Sequence, residues 1–202
     1  MGVDGLGKRG ILLSGGIDSA ALAFWKRPHY AIYINYGQRC ADAEYHASMA
    51  IAAEIGMSFI HLNVNCASLG SGDLSQQPAL LIAPVSEWWP YRNQLLLTLA
   101  SMRAINLGIK ELYFGAVRTD GKHIDGTLRF FRMLNKLIKM QEGFIRISVP
   151  AIKLSSEDLI RRSGVPASIL GWTHSCHSGN IPCGICNGCS KHISVKCNVG
   201  LI

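Results

Sequence analysis

Six residues near the N-terminus, Ser14-Gly15-Gly16-Ile17-Asp18-Ser19, are of the types that hold a phosphate. Glycines let the backbone close on an anion, and the unpaired N–H groups of a helix start point at it. Ser14 and Ser19 add hydroxyl donors, while the Asp18 carboxylate suits Mg²⁺ or loop orientation rather than a phosphate. The string lacks the Gly-Lys-Ser/Thr ending of a Walker-A loop. Taken alone, a glycine pair is as well explained by a tight turn before a helix cap. A second group lies at the other end of the chain: Cys176, Cys183, Cys186 and Cys189, spaced C-x6-C-x2-C-x2-C. Four thiolates at this density close a tetrahedral structural Zn²⁺ site. Gly184 and Gly188 allow tight turns between the ligands. An iron–sulfur cluster is the competing reading. His174, His177 and His192 are near enough in sequence to replace a thiolate, or to stay in solvent or behind the ligands.

The elements that must position these groups alternate. Apolar runs at 9–14, 30–35, 58–64, 111–117 and 144–149 read as strands. Segments 18–26, 42–55, 92–106, 126–140 and 155–162 read as helices, with Gly56 ending the second and Ser155 capping the last. Residues 67–89 form a long functional loop, and the Cys-, Gly- and His-rich stretch from 171 is expected to carry little regular structure. This order implies an α/β fold: a doubly wound, mainly parallel five-stranded sheet with a C-terminal four-cysteine zinc knuckle. The expected division is a domain over 1–170 with a zinc-binding segment, 171–202, packed on it. Ligands of such sheets sit beyond the C-terminal strand ends, where both glycine-rich turns fall.

Of 202 residues, 49% are hydrophobic and 16% charged, which excludes a disordered chain. No apolar run approaches the roughly 20 residues of a membrane span. Residues 1–10 hold no apolar core of signal-peptide type, so the expected location is cytoplasmic. In that setting seven cysteines point to metal rather than disulfides, and Cys66 and Cys197 read as small buried apolar groups. The net charge of +7 is spread along the chain, with mild clusters at Arg129, Arg132, Lys136 and Lys139 and at Arg161 and Arg162. Without a basic tail, direct nucleic-acid binding is not expected.

Further segments follow in order. Tyr36-Gly37-Gln38-Arg39 comes after the second strand, and Pro90-Tyr91-Arg92-Asn93 opens the third helix. Gly115 with Thr119-Asp120 follows the fourth strand; Asp125, Phe130 and Leu134-Asn135 mark the next helix; Thr173 and Ser175-Cys176 lead into the cysteines. The loop resembles the SGGxDS signature of PP-loop ATP pyrophosphatases. The whole ordered set resembles the QueC family of 7-cyano-7-deazaguanine synthases over nearly the full chain.

The resemblance implies an AMP- and pyrophosphate-forming C–N ligase using ATP, Mg²⁺ and structural Zn²⁺. It would adenylate the carboxylate of 7-carboxy-7-deazaguanine and carry it through an amide to a nitrile. The resemblance implies nucleotide contacts from Ser14, Gly15, Gly16, Ile17, Asp18, Ser19, Tyr36, Gln38 and Gly115. It implies catalytic roles for Ser14, Asp18, Ser19, Arg92 and Asp120, and substrate contacts from Arg39, Arg92, Asn93, Asp120, Asp125 and Lys153. Trp88, Trp89 and Tyr91 are of the type that stacks on a purine-like base, or are ordinary core and surface aromatics. A homodimer is the expected assembly.

Two segments depart from the family pattern. Ser156 stands where a lysine is expected, with Lys153 three residues earlier. Gly126-Thr127 stand where a Cys-Arg pair is expected. Three alternatives therefore stay open. One is a diverged enzyme, of the kind found in anti-phage defence, that passes the activated acid to an acceptor protein's amine. Another is a PP-loop binding module without turnover. The third is a tRNA-thiolating enzyme with an iron–sulfur cluster, whose loop carries lysine where this chain has Ile17.

Overall fold

The computed structural model describes residues 7–201. The reading of residues 1–10 as free of an apolar leader falls, for residues 1–6, outside the described residues. Five strands form one sheet: β1 (Lys8–Leu12), β2 (Tyr30–Asn35), β3 (Ser58–Asn63), β4 (Ile109–Tyr113) and β5 (Arg146–Ser148). Every pairing is parallel and the order is β3-β2-β1-β4-β5. The chain leaves β1 in both directions, so the crevice for a ligand opens between the ends of β1 and β4.

The helices are α1 (Ile17–Lys26), α2 (Ala41–Ile55), α3 (Arg92–Leu107), α4 (Leu128–Lys139), α5 (Ser156–Ser163), α6 (Ala167–Gly171) and α7 (Asn187–Asn198). They cover both faces of the sheet. Ile11 points into one core with Leu22, Ile51, Leu159, Leu170 and Val195. Leu12, one residue on, points into the other with Ile32, Leu97, Leu112, Phe131 and Ile147. Burial on both faces is why the end of β1 (Ile11-Leu12, continuing to Leu13) and most of β2 (residues 30–34) read as apolar runs instead of alternating. The expected caps are in place. The Ser155 hydroxyl accepts the Asp158 N–H at 3.1 Å, and Gly56 ends α2 at φ +79°. The long loop 67–89 is pinned by Leu74 and Trp89, each 2% exposed, while Leu81 at its tip lies fully in solvent. No helix among the described residues is long and apolar enough to cross a membrane.

Two expectations for the C-terminal segment need correction. The segment beyond 171 is not irregular: it ends in the twelve-residue helix α7. Its composition hides it. The start is capped by a thiol, with Cys186 Sγ accepting the Cys189 N–H at 3.4 Å, and its main buried apolar anchor is Val195. Cys197, on the same helix, is exposed rather than buried, because its side of α7 faces solvent.

Candidate active site

The Ser14–Gly16 turn leaves β1 and enters α1 with Gly16 at the cap position. Gly15 has φ +77°, and a Cβ there would lie 2.7 Å from Ala47 Cβ and 3.0 Å from Glu44 O. Only glycine meets both demands. The first bond that closes the helix runs from Ala20 N–H to Gly16 O at 3.0 Å, so the earlier N–H groups have no partner within α1. Ser19 Oγ donates to Gly16 O at 2.9 Å and lies 3.3 Å from Ser14 Oγ, so both hydroxyls gather at the turn. Gly115, beyond β4, is the second close approach: a Cβ there would sit 3.2 Å from Ser19 Cα. The turn forms the floor of a cavity of about 580 Å³, within the usual range for a small-molecule site.

Asp18 and Asp120 face each other across this floor, with Lys191 between them. Lys191 Nζ donates to Asp18 Oδ2 at 2.8 Å and stands 3.6 Å from Asp120 Oδ1. Burial raises the Asp18 pKa, and the Lys191 charge and hydrogen bond oppose that rise. Asp18 Oδ1 is buried with no hydrogen-bond partner among the described residues. Asp120 Oδ2 accepts the Val117 N–H at 3.0 Å, which fixes its carboxylate at the start of a short turn. Ser156, 2% exposed, lies close enough to Asp18 for its hydroxyl to favour the carboxylate charge, yet Oγ makes no hydrogen bond of ordinary geometry.

The opposite wall comes from the start of α3. Arg92 lines the cavity. Burial works against its charge, but Tyr36 and the carboxylates of Asp125, Glu44 and Asp120 hold its pKa above the usual range. Asn93 and Asp125 chiefly hold each other: Asn93 N–H donates to Asp125 Oδ2 at 3.3 Å, and Asn93 Nδ2 donates to Asp125 O at 3.0 Å. A carboxylate at that point also caps α3. Tyr36 lines the cavity and packs edge-on against Trp89, with centroids 4.9 Å apart.

Gln38, by contrast, is an internal brace. It accepts the Tyr36 N–H at 2.9 Å and donates to Glu44 Oε2 at 2.7 Å. Arg39 and Lys153 are exposed and outside the cavity lining. Trp89 is core, and Tyr91 is 77% exposed, so neither offers a stacking face inside.

Sequence reading missed Lys191 and Glu44 and placed His174 and Ser175 only beside the cysteines; all four line the cavity. Lys191 meets a carboxylate 173 positions away, and no local pattern announces such a pair.

The four cysteines converge as their spacing implied. Their sulfurs lie within 4.8 Å of one another. Cys183–Cys189 and Cys176–Cys186 are each 4.0 Å apart. A tetrahedral Zn²⁺ with bonds of about 2.3 Å requires sulfurs about 3.8 Å apart, so the set fits that ion. Backbone N–H groups of Ile185 and Cys186 pull the Cys183 thiol down to about 6, toward the ligating thiolate. The leading segment is tied to the Ser14–Gly16 turn, since His174 N–H donates to Gly15 O at 2.9 Å. Gly188 lets α7 close on that segment, because a Cβ there would collide with Ser175 O.

Comparison with known proteins gives the family. The family model described as "Queuosine biosynthesis protein QueC" matches residues 9–194. The chain is 31% identical to the 7-cyano-7-deazaguanine synthase of Syntrophus aciditrophicus over 204 residues, covering 89% of this chain and 88% of that protein. It is 30% identical to the synthase of the same name from Acidobacterium capsulatum over 199 residues, covering 89% and 87%. The corresponding protein of Chlorobium phaeobacteroides is 27% identical over 210 residues, covering 95% and 92%.

Proposed function

We infer the activity from one premise: the chain belongs to the QueC family. We propose that it adenylates the carboxylate of 7-carboxy-7-deazaguanine with ATP and carries the activated acid to 7-cyano-7-deazaguanine. A substrate carboxylate oxygen attacks the α-phosphorus, the bond to the β-phosphate oxygen breaks, and pyrophosphate leaves. Ammonia attacks the acyl carbon and expels AMP, giving the amide. The amide oxygen attacks a second ATP in the same way, and loss of AMP and the amide protons leaves the nitrile.

The observation that carries this reading is the Ser14–Ser19 turn, with its free helix-start N–H groups, on the floor of the strand-end cavity. Those groups with Ser14 and Ser19 bind the departing pyrophosphate, and Gly115 lets them approach. Arg92 presents forked donors to the acid or the α-phosphate. Tyr36 and the Asn93–Asp125 pair shape the wall the base rests on. Asp18 and Asp120 suit a hard divalent cation, since Asp18 keeps one buried carboxylate oxygen without a partner. Mg²⁺ bound there supplies charge neutralisation of the phosphates. Cys176, Cys183, Cys186 and Cys189 hold a structural Zn²⁺.

The departure at Gly126-Thr127 from the Cys-Arg pair of the family pattern motivates a second reading, in which a protein amine is the acceptor. In the altered substrate segment a Cβ at Gly126 would lie 2.1 Å from Asp120 O, so this backbone has no room for a side chain there. The test is mass spectrometry after incubation with ATP, Mg²⁺, 7-carboxy-7-deazaguanine and ¹⁵N-ammonium, with Asp18→Asn as control. Labelled nitrile with AMP supports the proposal. Pyrophosphate with an acyl-adenylate that ammonium does not consume redirects it to the protein amine. Absence of pyrophosphate refutes both.

A further inference from the structure

We propose that Lys191 is an exchangeable cation: it neutralises Asp18 and Asp120 in the free site, then yields them to a divalent cation and turns to the nucleotide phosphates. This rests on the adenylation reading above. Among the described residues, five carboxylates line the cavity (Asp18, Glu44, Glu87, Asp120 and Glu157) against three cations, Arg92, Lys122 and Lys191. A formally negative wall opposes an incoming triphosphate unless cations are delivered to it. Of the three, Lys122 is exposed at the mouth and Arg92 stands at the start of α3. Lys191 alone sits between the two floor carboxylates, at 2.8 and 3.6 Å.

Its chemistry suits exchange. An ammonium is a compact charge on a flexible stem, and its three donors need no fixed plane. The room for it comes from Ser156, whose small buried side chain leaves the space beside Asp18 open. The cation therefore enters from α7, not from α5. Because Cys186 caps α7 and Cys189 lies in its first turn, the cysteine cluster sets where Lys191 stands.

The proposal predicts opposite effects on two binding events. Replacing Lys191 by methionine removes the competitor for Asp18 and Asp120, so Mn²⁺ alone, read by electron paramagnetic resonance, binds about tenfold more tightly. The same change lowers ATP–pyrophosphate exchange driven by the deazaguanine acid about 10²-fold or more. Lys191→Arg keeps the charge, so Mn²⁺ affinity stays near native while exchange falls; it serves as the readout should the methionine variant fail to hold zinc. A lysine moved to the other helix, in the double variant Ser156→Lys with Lys191→Met, recovers exchange at least tenfold over Lys191→Met alone. Exchange within twofold of native in a zinc-replete Lys191→Met protein overturns the proposal, and so does unchanged Mn²⁺ affinity. A native protein that gives no exchange overturns the adenylation reading instead, and the Mn²⁺ measurement still judges Lys191.

Discussion

Alanine at Gly15 and alanine at Gly108 share one cost and differ in another, and the difference measures how tightly the phosphate turn is wedged. Both glycines are left-handed, at φ +77° and +68°. Alanine in that region costs about 1–2 kcal/mol at either place. Gly108 caps α3, and a Cβ there meets nothing within 4 Å among the described residues. At Gly15 the new methyl would stand 2.7 Å from Ala47 Cβ, 3.0 Å from Glu44 O and 3.2 Å from Ser48 N. Carbon atoms prefer about 3.5–4.0 Å, so α2 must retreat from the turn, at about 1–3 kcal/mol. The expected losses are about 2–5 kcal/mol for Gly15→Ala and about 1–2 kcal/mol for Gly108→Ala. Urea unfolding followed by circular dichroism, with zinc held in excess, measures both. Ala47→Gly should cost less in the Gly15→Ala background than in the native one, because it removes the nearest clashing atom. ATP binding should fail in Gly15→Ala and survive in Gly108→Ala. Equal destabilisation of the two variants, or no coupling with Ala47→Gly, would refute the wedge.

Cys189→Ser should release zinc and lower amide-exchange protection across residues 187–198 by about tenfold or more, while β1 and β4 keep theirs; mass-resolved hydrogen exchange decides it. His192 should make stability fall in acid. Burial, with the charges of Lys196 and His174, lowers its pKa to about 4, so the fold favours its neutral form. The unfolded chain protonates near 6.5, so this contribution is complete above that pH and is lost as pH falls toward 4. Half-exposure reduces it to about 1–2 kcal/mol, and His192→Gln should show a correspondingly smaller drop in Tm between pH 7 and 4.5. Trp89→Ala should destabilise by about 3–5 kcal/mol, since the ring is 2% exposed and packed on Tyr36. An unchanged urea midpoint would argue that the ring faces the cavity.

The sheet was legible because Ile11-Leu12 at the end of β1, continuing to Leu13, and residues 30–34 of β2 are covered on both faces and read as apolar runs. The turn was legible because Gly15, Gly16, Asp18 and Ser19 are local to one strand end. What escaped was non-local. Asn93 and Asp125 carry the right types for a ligand, yet each satisfies the other across 32 positions, and only three-dimensional pairing shows it. Gln38 looks like a site residue until its amide is seen bridging Tyr36 and Glu44. The helix α7 escaped because a thiol cap and one valine anchor replace the usual cap and apolar stripe. With α7 unread, Lys191 had no direction, and Lys153 and Ser156 were the places searched for a cation.

The C-terminal segment reaches the site through four separate ties. His174 bonds the phosphate turn, Asn180 bonds Asp42 at 3.1 Å, Asn187 bonds Glu87 at 2.9 Å, and Lys191 bonds Asp18. Ordering the nine residues between Cys176 and Cys186 costs about 9–18 kcal/mol. Of the four ties only that of Asn180 falls inside this loop, and its bonds to Asp42 and Ala43 N–H contribute about 1–3 kcal/mol. The four-thiolate zinc site proposed above, at about 10–16 kcal/mol, is what brings the two sides level. On the proposed reading the metal site acts on the chemistry without touching a substrate. Zinc would fix the loop, the loop fixes the start of α7, and α7 carries the ammonium to the two carboxylates. Loss of zinc is then expected to remove a cation from the cavity floor as mutating Lys191 does.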